Sequence, residues 1–231
     1  MSQIRCQVEG IAPLTKTVYR VDLTPDVSLD FQSGQYVLVH MAEDDKRPFS
    51  IANAAHDNNR LELHIGAEPG NSYAGEVLER MRQEKAIFIS GGHGQATLQD
   101  GDTPMILVAG GTGFSYTYSI LMQSLKVNPN REITLYWGGK HLEDLYYHKE
   151  LISLAAHHPH LTYIPVVENA ADDWDGRKGW VHHAVLADYA DLSGVQVYIA
   201  GRFDMAKVAR DDFFERGLTK ENLFGDAYAF I

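Results

Sequence analysis

"MILVAGGTGFSYTYSIL", residues 105–121, decides the architecture. An unbroken apolar run from Met105 to Ala109 reads as a parallel strand buried on both faces. Gly110, Gly111 and Gly113 follow at once. Beyond them Phe114, Tyr118, Leu121 and Leu125 recur at i, i+4, i+7 and i+11, the spacing of a helix with one apolar face. Strand, glycine turn and helix in that order let backbone N–H groups approach a phosphate, while the helix N-terminus adds a favourable partial charge. Thr112 and Ser115 add hydroxyl donors. A tight turn needing positive φ is the competing explanation of the glycines, and the flanking strand and helix favour a dinucleotide. The spacing departs from G-x-G-x-x-G, so the standard Rossmann fingerprint is missing.

Downstream the same rhythm repeats. "EITLYWGG" (132–139), "LTYIPVVEN" (161–169) and "VQVYIAG" (195–201) are further apolar runs with helical stretches between them. Alternating strand and helix implies a parallel sheet with right-handed crossovers. The second strand ends "YWGGKH" without the acidic residue that usually holds a ribose. Lys140 and His141 can meet a 2′-phosphate there, or form a solvated loop; the choice leans to NADPH with NADH tolerated. The run ending at Gly201 and Arg202 reaches the same C-terminal edge, where open α/β sheets bind ligands. A plain surface arginine is the alternative for Arg202. The edge thus offers three candidate turns, 110–115, 138–141 and 200–205.

Upstream the period changes to two. "IRCQVEGIAPL", "KTVYRVDLTP", "GQYVLVHM", "RPFSIAN", "RLELHIGA" and "KAIFISG" are short runs separated by Gly, Pro, Asn and Asp, as in a small antiparallel barrel or sandwich. One helix interrupts them, with Ser72 as its N-cap and Tyr73, Val77, Leu78 and Met81 on one face. The turn-rich "GGHGQATLQDGDTP" (91–104) joins the halves. The expected organisation is an N-terminal antiparallel Greek-key β-barrel, residues 1–100, followed by a parallel-sheet Rossmann-like nucleotide-binding domain, residues 101–231. Within the barrel, "DKRPFSIAN" (45–53) sets Arg47, Pro48 and Phe49 ahead of Ser50. A proline removes a ladder hydrogen bond, so the segment belongs at an edge or a strand start.

The totals narrow the classes. The 231-residue chain is 45% hydrophobic and 22% charged, the balance of a globular protein with ample core. A net charge of −11 argues against a nucleic-acid partner. No apolar run approaches the roughly 20 residues of a membrane span, and the N-terminus lacks the h-region of a signal peptide. The single cysteine, Cys6, excludes an internal disulfide and a four-cysteine cluster, and fits a reducing cytoplasm. It reads as a small buried hydrophobe. "HHPH" (157–160) and His182–His183 lack acids or cysteines at ligand spacing, so no metal is expected. "HLEDLYYHKE" (141–150) reads as an exposed helix.

A barrel bearing R-P-F-S followed by A-G-G-T-G-F resembles the ferredoxin–NADP reductase superfamily. Its flavin motif, Arg-x-aromatic-Ser/Thr, is met by Arg47, Phe49 and Ser50, and its third motif, usually Cys-Gly-Pro, stands here as Ala200-Gly201-Arg202. The resemblance covers essentially the whole chain and is narrowest to the bacterial NAD(P)H:flavin oxidoreductases. It implies hydride transfer from NADPH or NADH to flavin N5, chemistry that the cofactors themselves carry. Riboflavin, FMN or FAD would be a loosely bound substrate that leaves reduced, because "IANAAHDNNRLELHIGAEPGNSY" leaves little room for an adenosine-binding insertion. Gly70 and Ser72 stand where full family members hold the flavin pyrophosphate, or simply cap a helix.

The resemblance also assigns residues. Arg47, Pro48, Phe49, Ser50, His64, Ile65 and Tyr73 would bind flavin, with Ser50 meeting N5. Asp226 would relay a proton, unless it is only a turn residue. His64 alone would more often be an ordinary core or surface histidine. Gly110, Gly111, Thr112, Gly113, Phe114, Ser115, Lys140, Gly201 and Arg202 would bind the nicotinamide nucleotide, with Phe114 and Tyr116 near the ring or in ordinary core. Reduced flavin would pass to ferric chelates or flavin-dependent enzymes from a monomer. Two alternatives stand: a reductase component that retains its flavin and serves a protein acceptor, and a redox-inactive nucleotide sensor.

Overall fold

A computed structural model describes residues 3–230; Met1, Ser2 and Ile231, at the ends of the two expected domains, lie outside the described residues. The chain divides into two compact units, Met1–Leu98 with Tyr118–Gln123, and Gln99–Thr117 with Ser124–Ile231.

The first unit is built on β1 (Ile4–Pro13), β2 (Val18–Pro25), β3 (Tyr36–His40), β4 (Lys46–Ser50), β5 (Leu61–Gly66) and β6 (Ala86–His93), with helix α1 (Ser72–Glu84) between β5 and β6. All pairings are antiparallel, in the order β4-β3-β6-β1-β2-β5. A bulge between Val8 and Gly10 helps the long first strand to bend. The two edges approach at one place: Ile51, just past β4, bridges Leu63 of β5, and Ala52 N–H donates to Glu62 C=O. The sheet is therefore barrel-like without closing. β4 lies at an edge, which is where a sheet tolerates Pro48.

Period-two burial fills this barrel. Val21, Leu23, Val37, Val39, Ile51, Leu61, Leu63 and Ile65 are fully buried in one core with Val77, Leu78 and Met81 of α1. The helix starts at Ser72, as the sequence implies, but Asn71 occupies the cap and makes no side-chain cap bond. Tyr73 departs from the expected apolar face: it is 47% exposed, and Ala74 takes the buried place. Cys6 is completely buried on β1, and burial, followed by the nearby Asp26 charge, pushes its thiol up to about 12.

The second unit carries a wholly parallel sheet of β7 (Met105–Gly110), β8 (Ile133–Gly139), β9 (Leu161–Val167), β10 (Arg177–Lys178), β11 (Gln196–Ala200) and β12 (Leu223–Phe224). Its helices are α2 (Phe114–Val127), α3 (His148–His157), α4 (Val181–Asp188) and α5 (Phe203–Glu215). The order β10-β9-β8-β7-β11-β12 runs outward in both directions from β7, so the chain reverses direction across the sheet between β7 and β11. β10 and β12 have only two residues each, too few to form an apolar run. "HLEDLYYHKE" also differs from expectation: Leu142–Asp144 form a 3-10 turn, and the helix begins only at His148. Leu145 there is buried, and Tyr146 packs edge-on against Trp137 at 4.9 Å. No helix among the described residues is long and apolar enough to cross a membrane.

Two outcomes follow from this packing. Leu63→Ala, at the seam of the barrel, should cost about 2–5 kcal/mol in denaturant unfolding. Cys6 in the folded protein should resist thiol reagents at neutral pH and react fully once denatured; rapid native labelling would contradict its burial.

Candidate functional site

The reversal between β7 and β11 is the place where a doubly wound sheet opens a crevice at its strand ends. Ala109 of β7 pairs with Ala200 of β11, so the turns beginning at Gly110 and Gly201 leave the sheet side by side. On the other flank Gly110 pairs with Gly138 of β8, bringing in the turn that holds Lys140. All three candidate turns thus share one edge.

The three glycines of the first turn have different reasons to be glycine. A Cβ on Gly113 would lie 2.3 Å from the Ala200 carbonyl oxygen and 2.7 Å from the Gly201 nitrogen, so two backbones pack in direct contact there. On Gly110 it would meet Met205 Sδ at 2.8 Å. Gly111 instead has φ +54° and nothing within 4 Å of its Cβ position. Gly110 and Gly113 therefore hold two ligand turns together, and Gly111 supplies the left-handed bend on the open side.

The helix that follows starts through a 3-10 turn, Gly111–Gly113, and continues as α2. Ser115, in its first turn, is 2% exposed, and its hydroxyl has no hydrogen-bond partner among the described residues. A buried unpaired hydroxyl costs free energy unless something completes it, and one beside a glycine turn suits a nucleotide. Thr112 is half-buried; Lys140 and Arg202 are exposed. Phe114 takes the core place that stood as the alternative to meeting nicotinamide. It is fully buried and stacks on Trp137 with centroids 3.8 Å apart. Its side chain is a floor for the turn, and Trp137 Nε1 donates to the Gly111 carbonyl at 3.0 Å to fix it. Tyr116 is likewise core, 2% exposed, with burial holding its phenol well above the usual range and the Asp226 charge adding to that. Asp226 is half-buried at the start of a 3-10 turn, Asp226–Ala229.

In the barrel the strand alternation sorts the R-P-F-S residues. Arg47 pairs with Val39 and Phe49 with Val37, both partners being core residues, so Arg47 and Phe49 look inward. Pro48 and Ser50 lie on the outer face, beside Leu38 and Tyr36. On β5 Leu63 and Ile65 belong to the core, which puts Glu62 and His64 on the outer face. One step along the register of the Ile51–Leu63 bridge stand Ser50 and His64. The structure therefore groups Pro48, Ser50 and His64, and separates from them Arg47, Phe49 and Ile65. Ser50 is half-buried, and its hydroxyl has no side-chain hydrogen bond among the described residues.

Arg47 is engaged elsewhere. Its Nε donates to Asp45 Oδ1 at 2.8 Å, Nη2 to Glu76 Oε2 at 2.8 Å, and Nη1 to the Tyr73 carbonyl. Its guanidinium lies over the Tyr73 ring, 4.6 Å from the centroid. The arginine fastens α1 to the edge strand, and its hydrogen bond holds the Asp45 carboxyl below the usual carboxylate range. Sequence reasoning named Arg47 but missed these acids. Asp45 sits two residues away, on the same side of an extended chain, and Glu76 one helical turn from Tyr73. His64 has a partner as well: Nε2 lies 2.8 Å from Glu62 Oε1, and Glu62 meets Arg20 at 3.1 Å.

A cluster dismissed on spacing also forms. His182 and His183 of α4 stand with Asp212 of α5, one ligand atom of each lying within 4.8 Å of the others. Asp212 comes from 29 residues further along the chain, so no local spacing could reveal it.

An antiparallel barrel-like unit and a parallel unit with a glycine turn at its strand ends are the two parts expected of a flavin- and nicotinamide-dependent oxidoreductase. Residues 9–98 match the oxidoreductase FAD-binding domain and residues 107–211 the oxidoreductase NAD-binding domain. An NAD(P)H-flavin reductase of Aliivibrio fischeri is 46% identical over 99% of both chains, and one of Vibrio harveyi is 43% identical over the same share. The chain belongs to the NAD(P)H-flavin reductase family. Its fold matches that of the Amycolatopsis cytochrome P450 reductase at TM-score 0.86 and 24% identity, over 97% of this chain and 69% of that one.

Arg47→Lys should lower stability by about 1–2 kcal/mol, since one ammonium cannot replace the fork. Its effect on the KM for flavin should be small. A large KM effect with unchanged stability would place Arg47 against the ligand instead. Gly113→Ala should lower the melting temperature more than Gly111→Ala, because only the former drives a methyl into backbone.

Proposed function

We propose that this chain is an NAD(P)H:flavin oxidoreductase that takes flavin as a dissociable substrate and releases it reduced. The observation that carries the proposal is the state of Arg47. The arginine that the family motif directs at flavin already serves two carboxylates and a backbone carbonyl. Asp45 and Glu76 place negative charge around it, which disfavours a flavin phosphate at that point. What the outer face offers is suited to a ring: Pro48 and the Ser50 hydroxyl, with His64 enclosed one register step away.

When bound, nicotinamide would supply a hydride at C4 and flavin would accept it at N5. Ser50 orients the ring by hydrogen bonding at N5. His64, held by Glu62, fixes the neighbouring edge. Gly111 and the first-turn N–H groups of α2 receive the nucleotide phosphates, Thr112 and Ser115 add hydroxyls, and Lys140 with Arg202 supplies positive charge at the rim. Asp226, in the carboxyl-terminal turn, is the candidate proton relay of the reaction. Trp137 and Phe114 contribute by keeping that turn rigid. Lys140 and the lack of an acid after β8 favour NADPH with NADH accepted. Reduced flavin then passes to ferric chelates or flavin-dependent enzymes, and the protein acts as a cytoplasmic monomer.

The second reading, a reductase component with retained flavin, draws on the start of α1. Asn71 makes no side-chain cap bond, and Gly70 holds φ +88° with open space around it, so free N–H groups there can take a pyrophosphate. A visible spectrum of the purified protein, followed by NADPH oxidation with and without added riboflavin or FMN, separates the readings. A colourless protein whose turnover needs added flavin supports dissociable flavin; retained yellow flavin with turnover only on a protein acceptor supports the other. No NADPH oxidation under either condition would leave the nucleotide-sensor alternative. Ser50→Ala should lower turnover by about 10–100-fold, the worth of one buried hydrogen bond at the reacting atom, while flavin affinity changes little. Unchanged turnover would remove Ser50 from the reaction.

A further inference from the structure

His182 is an unusual residue in this fold. It is the second residue of α4, 3% exposed, in the seam where α4 packs on α5. Neither ring nitrogen has a hydrogen-bond partner among the described residues. Buried imidazoles normally donate from one nitrogen and accept at the other, so a ring with both unused is a costly arrangement.

The surroundings supply what such a ring needs. His183, the next residue, is exposed, with its ring centroid 4.3 Å from that of His182. Asp212 of α5 brings a carboxylate oxygen 3.7 Å from His182 Nε2, too far for a hydrogen bond and close to the separation of two ligands on one ion. One ligand atom from each of the three residues lies within 4.8 Å of the others. Bonds of about 2.0–2.2 Å from a central ion place neighbouring ligands somewhat closer than this. The exposed His183 and half-buried Asp212 side chains can close the remaining gap by small rotations, while His182 stays fixed.

We infer that His182, His183 and Asp212 form a binding site for a divalent transition-metal ion of the zinc class, tying α4 to α5. Two imidazoles and one carboxylate suit zinc, cobalt or nickel, and are a poor set for calcium or magnesium, which take oxygen ligands. The remaining coordination positions go to water. The site is separate from the flavin and nucleotide residues, so it acts on stability and not on the hydride step. Asp212 lies on the helix that begins just after Gly201 and Arg202, and a bound ion braces that helix against α4.

The test is a calorimetric titration of the full chain with zinc chloride, repeated on His183→Ala and Asp212→Asn. Both side chains are at least partly exposed, so these variants should fold as the parent does, which the metal-free melting temperature checks. The expected result is one equivalent of zinc bound by the parent, with affinity in each variant lowered by more than the roughly 10–100-fold that losing an outer-shell partner costs. Zinc should also raise the parent's melting temperature and leave that of the variants in place, with flavin-dependent NADPH oxidation the same in all three. Cobalt binding should quench Trp180, whose ring lies 5.4 Å from that of His183. Failure of the parent to bind one saturable equivalent would overturn the inference. Equal affinity in the variants would do the same, by placing the ion on other histidines such as those at 157–160.

Discussion

The close contact between Gly113 and the Ala200–Gly201 peptide is the constraint on which the nucleotide unit depends. Two strands that leave a sheet side by side can deliver their turns to one ligand only if the turns touch, and a side chain at Gly113 would hold them apart. Its hypothetical Cβ would come 2.3 Å from a carbonyl oxygen, a distance no rotamer can relieve. From this contact follow the shared edge, the place of Arg202 at the start of α5, and the open side left to Gly111. Trp137 completes the arrangement by bonding the Gly111 carbonyl while its ring lies on Phe114. The glycines that look like a phosphate cradle in sequence are thus divided: one faces open space, and two exist so that the sheet edge can close behind it.

The barrel solves a different problem, that of a charged residue on an inward-facing strand position. Arg47 keeps its guanidinium paired by turning it toward the end of the barrel, where Asp45, Glu76 and the Tyr73 carbonyl converge. Leaving those donors unpaired would cost more than the pairs themselves contribute. The effect is to join α1 to the edge strand, and it explains why Tyr73 leaves the apolar face of its helix to cover the arginine. Pro48 is tolerated because that strand lies at an edge of the sheet, where a missing ladder donor costs least.

Much of this was legible in the residues. Six strands of the barrel, four main strands of the parallel sheet and the ligand edge all follow from period, punctuation and the glycine turn. What escaped was decided by tertiary packing. Strand parity separates Arg47 from Ser50, yet a motif read as a string places both on one ligand. Ile65 was expected to line the flavin groove, and Phe114 either to meet nicotinamide or to lie in ordinary core; both side chains are fully buried. The short strands β10 and β12 have too few residues to show a period. Asp212 reaches His182 only because α4 and α5 pack together, which spacing along the chain cannot express.

The alternation of β5 shows why such departures gather near function. Leu61, Leu63 and Ile65 fill the barrel as the pattern requires, and ordinary amphipathic logic would then leave Glu62 and His64 in water. Instead both are buried, at 4% and 5% exposure. Burying a carboxylate is affordable only with compensating partners, and Glu62 has His64 at 2.8 Å and Arg20 at 3.1 Å. Its backbone N–H goes to Asn53, whose own amide group bonds the Asp57 and Arg60 carbonyls. Glu62 and His64 are thus held as a polar pair one register step from Ser50, with the His64 side chain wholly enclosed.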